Sequence, residues 1–274
     1  MVHRGTLGQV SLPPLPYVGH EILLLVNETE PDPRELTATL AKEPSLAARL
    51  VGTANTAYFA GREPVDTLED AVRRLGLDRT RILLTSILLR DLFDARRTPR
   101  FDAGHYWQHA LGTAAMAQRI ARETDQPPGF MHLAGLLHSV GLVLLAHAFP
   151  AEMEQVFATH ARAEEATSLA ALEQAHLGTD HHAAGGLLLR EWALPERLCA
   201  LVTQFAVEPA PDDLEPALST LQGASAWASN GFADAAPAQL HRLGLDAGTL
   251  ERLAASGRRD QEDSAAISQL LAAG

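Results

Sequence analysis

The most constraining feature of this sequence is an apolar run without a single charged residue, residues 132–145. Crossing a bilayer takes about 20 apolar residues, so a buried core helix is the better interpretation of this run. Its central His138 stands between Gly135 and Gly141 and needs a polar partner inside, because an unpaired buried polar group costs about 1–3 kcal/mol. A core histidine bonded to a backbone carbonyl is the simplest expectation.

The composition favours packed helices around that run. The chain has 274 residues, of which 46% are hydrophobic and only 5% aromatic, and it is rich in Ala and Leu. That balance predicts an all-α protein with one large domain or two small ones. The single Cys199 excludes a disulfide framework and a cysteine-based zinc cluster. No long apolar segment follows Met1, so we expect no signal peptide, no membrane span and a cytoplasmic location.

The charge distribution disfavours DNA as a partner. A net charge of −12 does not suit phosphate contacts. Residues 73–100 nevertheless hold eight arginines against three aspartates. The sequence around Gly76 resembles a helix-turn-helix, but the helix that follows is apolar on most of its circumference and is better interpreted as core. A candidate anion-binding patch remains, formed by Arg73, Arg74, Arg79 and Arg81.

Helix-capping residues divide the chain into short helices. Asp32 with Pro33 predicts one helix start, and Thr67 with Asp70 predicts another, whose helix should end at Gly76. A long helix is expected at about residues 102–124, after a boundary between lobes at residues 98–100. His105 and His109 are four residues apart on it and could share a metal ion, although such spacing is often coincidental.

Several segments resemble a known family, the HD-related output domain family of the HD phosphohydrolase superfamily. The matching segments are residues 12–16 (LPPLP), 54–59 (ANTAYF), 71–79 (AVRRLGLDR), 134–141 (AGLLHSVG) and 178–195 (GTDHHAAGGLLLREWALP). The resemblance implies an N-terminal helical bundle lobe followed by an HD-like helical lobe, usually without hydrolytic activity. We therefore predict a tail at 1–11, the first lobe at 12–98, the HD-like lobe at 99–207, and a divergent helical continuation of that lobe at 208–274.

The resemblance also implies where the superfamily's metal site would lie. The corresponding positions are His109, His138, Ser139, Asp180 and His181. Ser139 stands where active relatives have the metal-binding aspartate, and a neutral hydroxyl is a poor ligand for Mg²⁺, Mn²⁺ or Fe²⁺. Gln204 and Phe205 replace further histidines, and residues 219–229 contain no closing acid. We expect a vestigial site without catalytic residues and without a cofactor, or with one divalent metal if any.

Three functions follow, in order of preference. The first is a non-catalytic bacterial signal-transduction module that acts by protein–protein interaction on a signalling protein such as a cyclase, phosphodiesterase or kinase. The second is a regulatory module that binds a nucleotide such as a cyclic dinucleotide through the arginines or the cleft. The third is a residual metal-dependent phosphohydrolase using His109, His138, His181 and His182. The sequence sets neither the partner nor the oligomeric state.

Overall fold

The structure is a computed structural model that describes residues 12–26, 28, 31–56, 58–59, 61, 63–162, 167–207, 211–233 and 235–272. All regular secondary structure within these ranges is helical, which confirms the all-α prediction. The predicted tail at 1–11 lies outside the described residues.

The N-terminal part is a bundle of four helices. They are α1 (Tyr17–Val26), α2 (Pro33–Leu40), α3 (Pro44–Ala54) and α4 (Leu68–Leu92). Asp32 caps α2 by accepting a hydrogen bond from the Arg34 amide, and Thr67 caps α4 by accepting one from the Asp70 amide. Both predicted caps are therefore present. The helix predicted to end at Gly76 does so: Gly76 adopts φ 76° and ψ 163°, outside the helical region, and a second helical stretch of α4 begins beyond this kink.

The second part is a larger helical body around the long helix α5 (Ala103–Glu123). The other members are α6 (Pro128–Leu137), α7 (Val140–Ala148), α8 (Pro150–His160), α9 (Leu169–Leu177), α10 (His181–Glu191), α11 (Glu196–Thr203), α12 (Glu215–Ser229), α13 (Ala238–His241) and α14 (Ala247–Ala272). Helix α5 packs against α6, α12 and α14, and α10 packs against α7 and α11. The C-terminal helices thus build onto the same body as α5.

The apolar run is interior, as expected, but it forms two helices rather than one. Helix α6 ends at Leu137 and α7 begins at Val140, so His138 and Ser139 form the turn between them. Ser139 leaves the helical region with φ −115° and ψ 16°. The apolar segment Pro128–Ala148 is long enough to cross a membrane, but 89% of its most apolar window is buried within the protein. It serves as the centre of the core.

Among the contacts that join the N-terminal bundle to the larger body are those of the interlobe segment and of the first proline-rich segment. A 3₁₀ turn, Ala95–Arg97, leads from α4 towards α5, and the Thr98 hydroxyl donates a hydrogen bond to the Ala146 carbonyl at 2.7 Å. At the other side, the Trp192 indole donates to the Pro13 carbonyl at 2.9 Å. The first contact ties the interlobe segment to α7, and the second ties the first proline-rich segment to the end of α10.

Candidate functional site

Two glycines bring the helices of the site into backbone contact. A Cβ on Gly135 would lie 2.6 Å from the Ala114 Cα, so α6 approaches α5 more closely than any side chain would allow. A Cβ on Gly141 would lie 1.9 Å from the His181 carbonyl oxygen, where α7 meets the start of α10. Because both contacts need the absence of a side chain, these glycines fix the position of the His138–Ser139 turn.

His138 lies beside His109, with their ring centroids 5.3 Å apart. His138 Nδ1 is 2.7 Å from the Gly135 carbonyl, so Nδ1 carries the proton and Nε2 is an acceptor. The Ser225 hydroxyl on α12 lies 3.4 Å from that Nε2 and 3.2 Å from His109 Nε2. Only one proton arrangement satisfies all three contacts: His109 donates to Ser225, and Ser225 donates to His138. The expected carbonyl partner of the buried histidine is present.

An aromatic ring covers the other side of His138. The Phe205 ring lies 5.1 Å from the His138 ring and stacks on the His182 ring at 5.0 Å, centroid to centroid. Phe205 follows α11 and places an apolar ring against both His138 and His182. His109, His138, His182, Phe205 and Ser225 form what we call the histidine cluster.

Ser139 has no role in that hydrogen-bonded chain. Its hydroxyl is buried and makes no hydrogen bond of normal geometry, and the same holds for the neighbouring Tyr106 hydroxyl. Burial raises the pKa of Tyr106, so the phenol stays protonated. The position that would hold a metal-binding aspartate therefore carries a neutral hydroxyl next to a neutral phenol.

Asp180 and His181 are both engaged in local structure. Asp180 caps α10 by accepting a hydrogen bond from the Ala183 amide at 2.9 Å. His181 Nδ1 lies 2.5 Å from the Glu173 carboxylate, which also accepts the His181 amide at 2.8 Å. Glu173 is fully buried and pairs with His181 instead of facing His138.

Burial keeps the clustered histidines neutral. It lowers the pKa of His109 to about 4 and of His182 to about 3, and it lowers the pKa of His138 well below its ordinary value. The neighbouring histidines add smaller effects in the same direction, since two like charges would repel. Neutral imidazoles can bind metals, but the lone pair on His138 Nε2 already accepts the Ser225 hydroxyl.

These residues do not fit the divalent metal that the family resemblance implies. Within the described part of the chain, no group of three or more His, Cys, Asp or Glu side chains is placed to hold one ion. The nearby acids, Glu173 and Asp180, are bonded to His181 and to the Ala183 amide. His105 is exposed, and it shares with His109 the lining of a small cavity of about 190 Å³, to which none of the described acidic side chains contributes.

The four arginines of the candidate anion-binding patch have different contacts in the structure. Arg74 donates to the Ala54 carbonyl, Asn55 Oδ1 and the Glu63 carbonyl, which holds the loop after α3. Arg73 is exposed and pairs with Asp70 at 2.6 Å. Arg79 lies over the Phe59 ring at 5.8 Å, whereas Arg81 is buried and donates to the Glu28 carbonyl. Arg74 thus holds the loop before α4, Arg73 pairs within α4 itself, and Arg81 is buried in the lobe.

Sequence reasoning missed Ser225, Glu173 and Tyr106. Ser225 lies in a segment noted only for lacking an acid, and Glu173 lies in an unremarkable amphipathic helix. No local pattern marks either residue, because each contacts its histidine from a different helix. Phe205 was noticed as a replacement, but its contact with two histidines depends on how α11 packs.

Comparison with known proteins shows the family. The sequence model of the HDOD domain, the HD-related output domain, matches residues 12–206. A solved protein of Marinobacter aquaeolei VT8, provisionally named a signal transduction protein, has a TM-score of 0.78 at 24% identity and covers 95% of this chain and 60% of its own. A solved protein of Shewanella amazonensis SB2B, provisionally named a phosphohydrolase, has a TM-score of 0.73 at 24% identity and covers 99% of this chain and 100% of its own. At that identity both similarities show the fold.

A curated relative shows that the match covers only part of some homologous proteins. An uncharacterized protein of Treponema pallidum (strain Nichols) is 24% identical over 218 residues, which is 77% of this chain and 41% of that protein. This chain therefore spans less than half the length of the curated relative it matches. The family match extends from the first proline-rich segment through α11 and includes the histidine cluster except for Ser225. The chain belongs to the HDOD domain family.

Proposed function

We propose that this protein is a non-catalytic signal-transduction module of the bacterial cytoplasm that acts by binding another signalling protein. The family match and the signal-transduction neighbour support a regulatory role. A partner of the cyclase, phosphodiesterase or kinase class would receive the signal. The proposal includes the absence of phosphohydrolase activity and of a resident metal.

The hydrogen-bonded chain from His109 through Ser225 to His138 carries this proposal. In that chain the Ser225 hydroxyl uses the nitrogen lone pair of His138 that a metal would need. Phe205 places an apolar ring against both His138 and His182. Ser139 adds no charged oxygen. A hydrolytic metal centre at this place would require breaking these contacts and supplying acids that the described residues do not offer.

Metal content and hydrolysis test the non-catalytic half. Protein purified without a metal-affinity column would be analysed by inductively coupled plasma mass spectrometry and assayed with bis(p-nitrophenyl) phosphate plus Mn²⁺, Fe²⁺ or Ni²⁺. We expect metal well below one ion per chain and the same background rate for the wild type and His138→Ala. A near-stoichiometric metal together with a rate that His138→Ala abolishes would refute the proposal.

Proximity labelling in bacterial cells tests the partner half. The wild-type chain and His138→Ala would each be fused to a labelling enzyme, with the labelling enzyme alone as the background control. We expect the same signalling protein to be enriched with both chains, because the buried histidine supports the core rather than a contact surface. Enrichment that disappears in a well-folded His138→Ala variant would contradict a partner site separate from the cluster.

A further inference from the structure

The protein has an open cavity outside the histidine cluster. A cavity of about 680 Å³ lies where α4 passes through the Ala95–Arg97 turn into α5, and Val143 and His147 of α7 close its far side. Small-molecule sites typically enclose roughly 300–1,000 Å³. We call this space the interlobe cavity, because it lies at the junction of the N-terminal bundle and the larger body.

Aromatic side chains are concentrated around the interlobe cavity. The chain has 8 Phe, 3 Tyr and 3 Trp, and four of these line it: Phe93, Phe101, Tyr106 and Trp107. Phe101 and Tyr106 lie 5.6 Å apart and tilted, while Tyr106 meets Trp107 edge-on at 5.1 Å, centroid to centroid. Walls of this kind favour a flat aromatic ring as occupant, because every nucleobase or similar heterocycle has a face that can stack on them.

His147 supplies a directional hydrogen-bond donor to the lining. The Asp94 amide donates to His147 Nδ1 at 2.9 Å, so Nδ1 is unprotonated and the ring proton of the neutral side chain is on Nε2. A ligand that carries a ring nitrogen or a carbonyl oxygen would accept this proton, whereas a hydrocarbon would not.

The segment that surrounds the cavity carries excess positive charge. Residues 90–100 contain four arginines and two aspartates, in a chain whose net charge is −12. Arg90 and Arg96 belong to the lining. Asp91, the partner of Arg90, also pairs with Arg49, so one carboxylate serves two guanidinium groups. Arg96 pairs with Asp94 and Arg100 pairs with Glu154, so an anionic group at the mouth would accept hydrogen bonds from the remaining N–H groups of arginines that are already paired.

We propose that the interlobe cavity binds a planar heteroaromatic ligand with an anionic group, of the purine nucleoside monophosphate class. The ring would lie among the four aromatic side chains and the phosphate at Arg90 and Arg96. Bound there, the ligand would contact both lobes and stabilise one arrangement of them. This inference goes beyond the proposed function and needs no partner protein, so either can fail without the other.

Filling the cavity gives the direct test. The purified chain would be titrated with adenosine monophosphate and with guanosine monophosphate, by isothermal calorimetry and by saturation-transfer NMR. Ala103 is the first residue of α5, after the capping residue Asp102, and it lines the cavity. Ala247 is the first residue of α14, after Asp246, but it is exposed and serves as the control position. We expect Ala103→Trp to weaken binding by about tenfold or more and Ala247→Trp to leave it unchanged.

Three further variants strengthen this comparison. Val143→Phe fills the same cavity from α7 and serves if Ala103→Trp does not fold, as judged by its circular dichroism melt. Arg96→Gln removes an exposed arginine that pairs with Asp94, and Arg73→Gln removes a similarly exposed one that pairs with Asp70. We expect Arg96→Gln to weaken nucleotide binding by about two- to fivefold, the size of a solvent-screened ion pair, and adenosine binding to stay unchanged.

Three results would overturn the proposal. One is that neither nucleotide binds in either measurement. Another is that binding survives both cavity-filling variants with unchanged affinity. The third is that Arg73→Gln weakens binding while Arg96→Gln does not, which would place the anion at the arginines of the N-terminal bundle instead of at the interlobe cavity.

Discussion

The histidine cluster and the interlobe cavity are built on the same helices but have opposite properties. In the cluster, His109 of α5 and the turn before α7 meet Ser225 and Phe205, and His109, Ser225 and His138 form one hydrogen-bonded chain. In the cavity, Tyr106 and Trp107 of α5 face Val143 and His147 of α7 across open space. The residues that identify the family thus lie in a closed interior, and the space that could receive a ligand lies beside it.

Tyr106 separates the two regions. Its ring lines the cavity, and its hydroxyl is buried beside Ser139. The closed region depends on exact backbone contacts, whereas the open one depends on the choice of side chains. Substitutions that add or remove a few atoms should therefore affect the two regions differently.

The largest expected effect concerns the backbone contact that closes the cluster. Gly141→Ala would place a methyl group 1.9 Å from the His181 carbonyl oxygen and 2.5 Å from the Gly185 amide nitrogen, so α7 and α10 would have to separate. We expect a loss of more than about 3 kcal/mol in the free energy of unfolding. Urea denaturation followed by circular dichroism would measure it.

Gly52→Ala is the matched control. Gly52 lies within α3, and a Cβ there would meet nothing within 4 Å. Alanine should stabilise that helix by about 0.5–1 kcal/mol, because glycine loses more backbone freedom on folding. Equal effects at Gly52 and Gly141 would contradict the close packing of α7 on α10.

The next effect is a loss of stability in mild acid. Burial lowers the pKa of His109 to about 4 and of His132 and His182 to about 3, below the ordinary value of about 6.5. The unfolded chain therefore binds more protons than the folded one below about pH 6.5. Stability should be fully present above that pH and should fall as the pH decreases towards 4, by up to about 1.4 kcal/mol per pH unit for each such histidine.

Urea denaturation at pH 7, 6 and 5 would measure that slope. His109→Gln should make the slope shallower, because one histidine with a lowered pKa is removed. Ser229→Ala, which removes no titratable group, should leave the slope as it is in the wild type. An unchanged slope in His109→Gln would show that His109 is not shielded from water as the structure places it.

The smallest expected effect concerns the hydroxyl that links the two histidines. Ser225→Ala removes the acceptor of His109 and the donor to His138, at 3.2 and 3.4 Å. We expect a loss of about 1–2 kcal/mol, because two buried ring nitrogens lose their partner. Ser229→Ala is the control one turn further on α12, where the hydroxyl bonds only to the Ser225 carbonyl. A thermal melt that does not distinguish the two variants would contradict the hydrogen-bonded chain.

The sequence was sufficient for the fold class, the family and most helix ends. Apolar periodicity and low aromatic content predicted helices, and the caps at Asp32 and Thr67 lie where their residue types indicated. These features are local, since a cap bonds to amides two or three residues away. The hydrogen bond from His138 to the Gly135 carbonyl is also local, because Gly135 lies three residues before His138.

Only the tertiary structure decided how the site residues pair. No sequence pattern connects Ser225 with His109 and His138, which lie 116 and 87 residues away along the chain. It also treated residues 132–145 as one helix, because hydrophobicity shows that a run is buried but not where the backbone turns within it. Burial pattern is a property of neighbouring residues and can be read along the chain. The pairing of buried polar groups, and the open space beside Tyr106, arise from the packing of α5, α7 and α12, and that packing depends on contacts between distant segments.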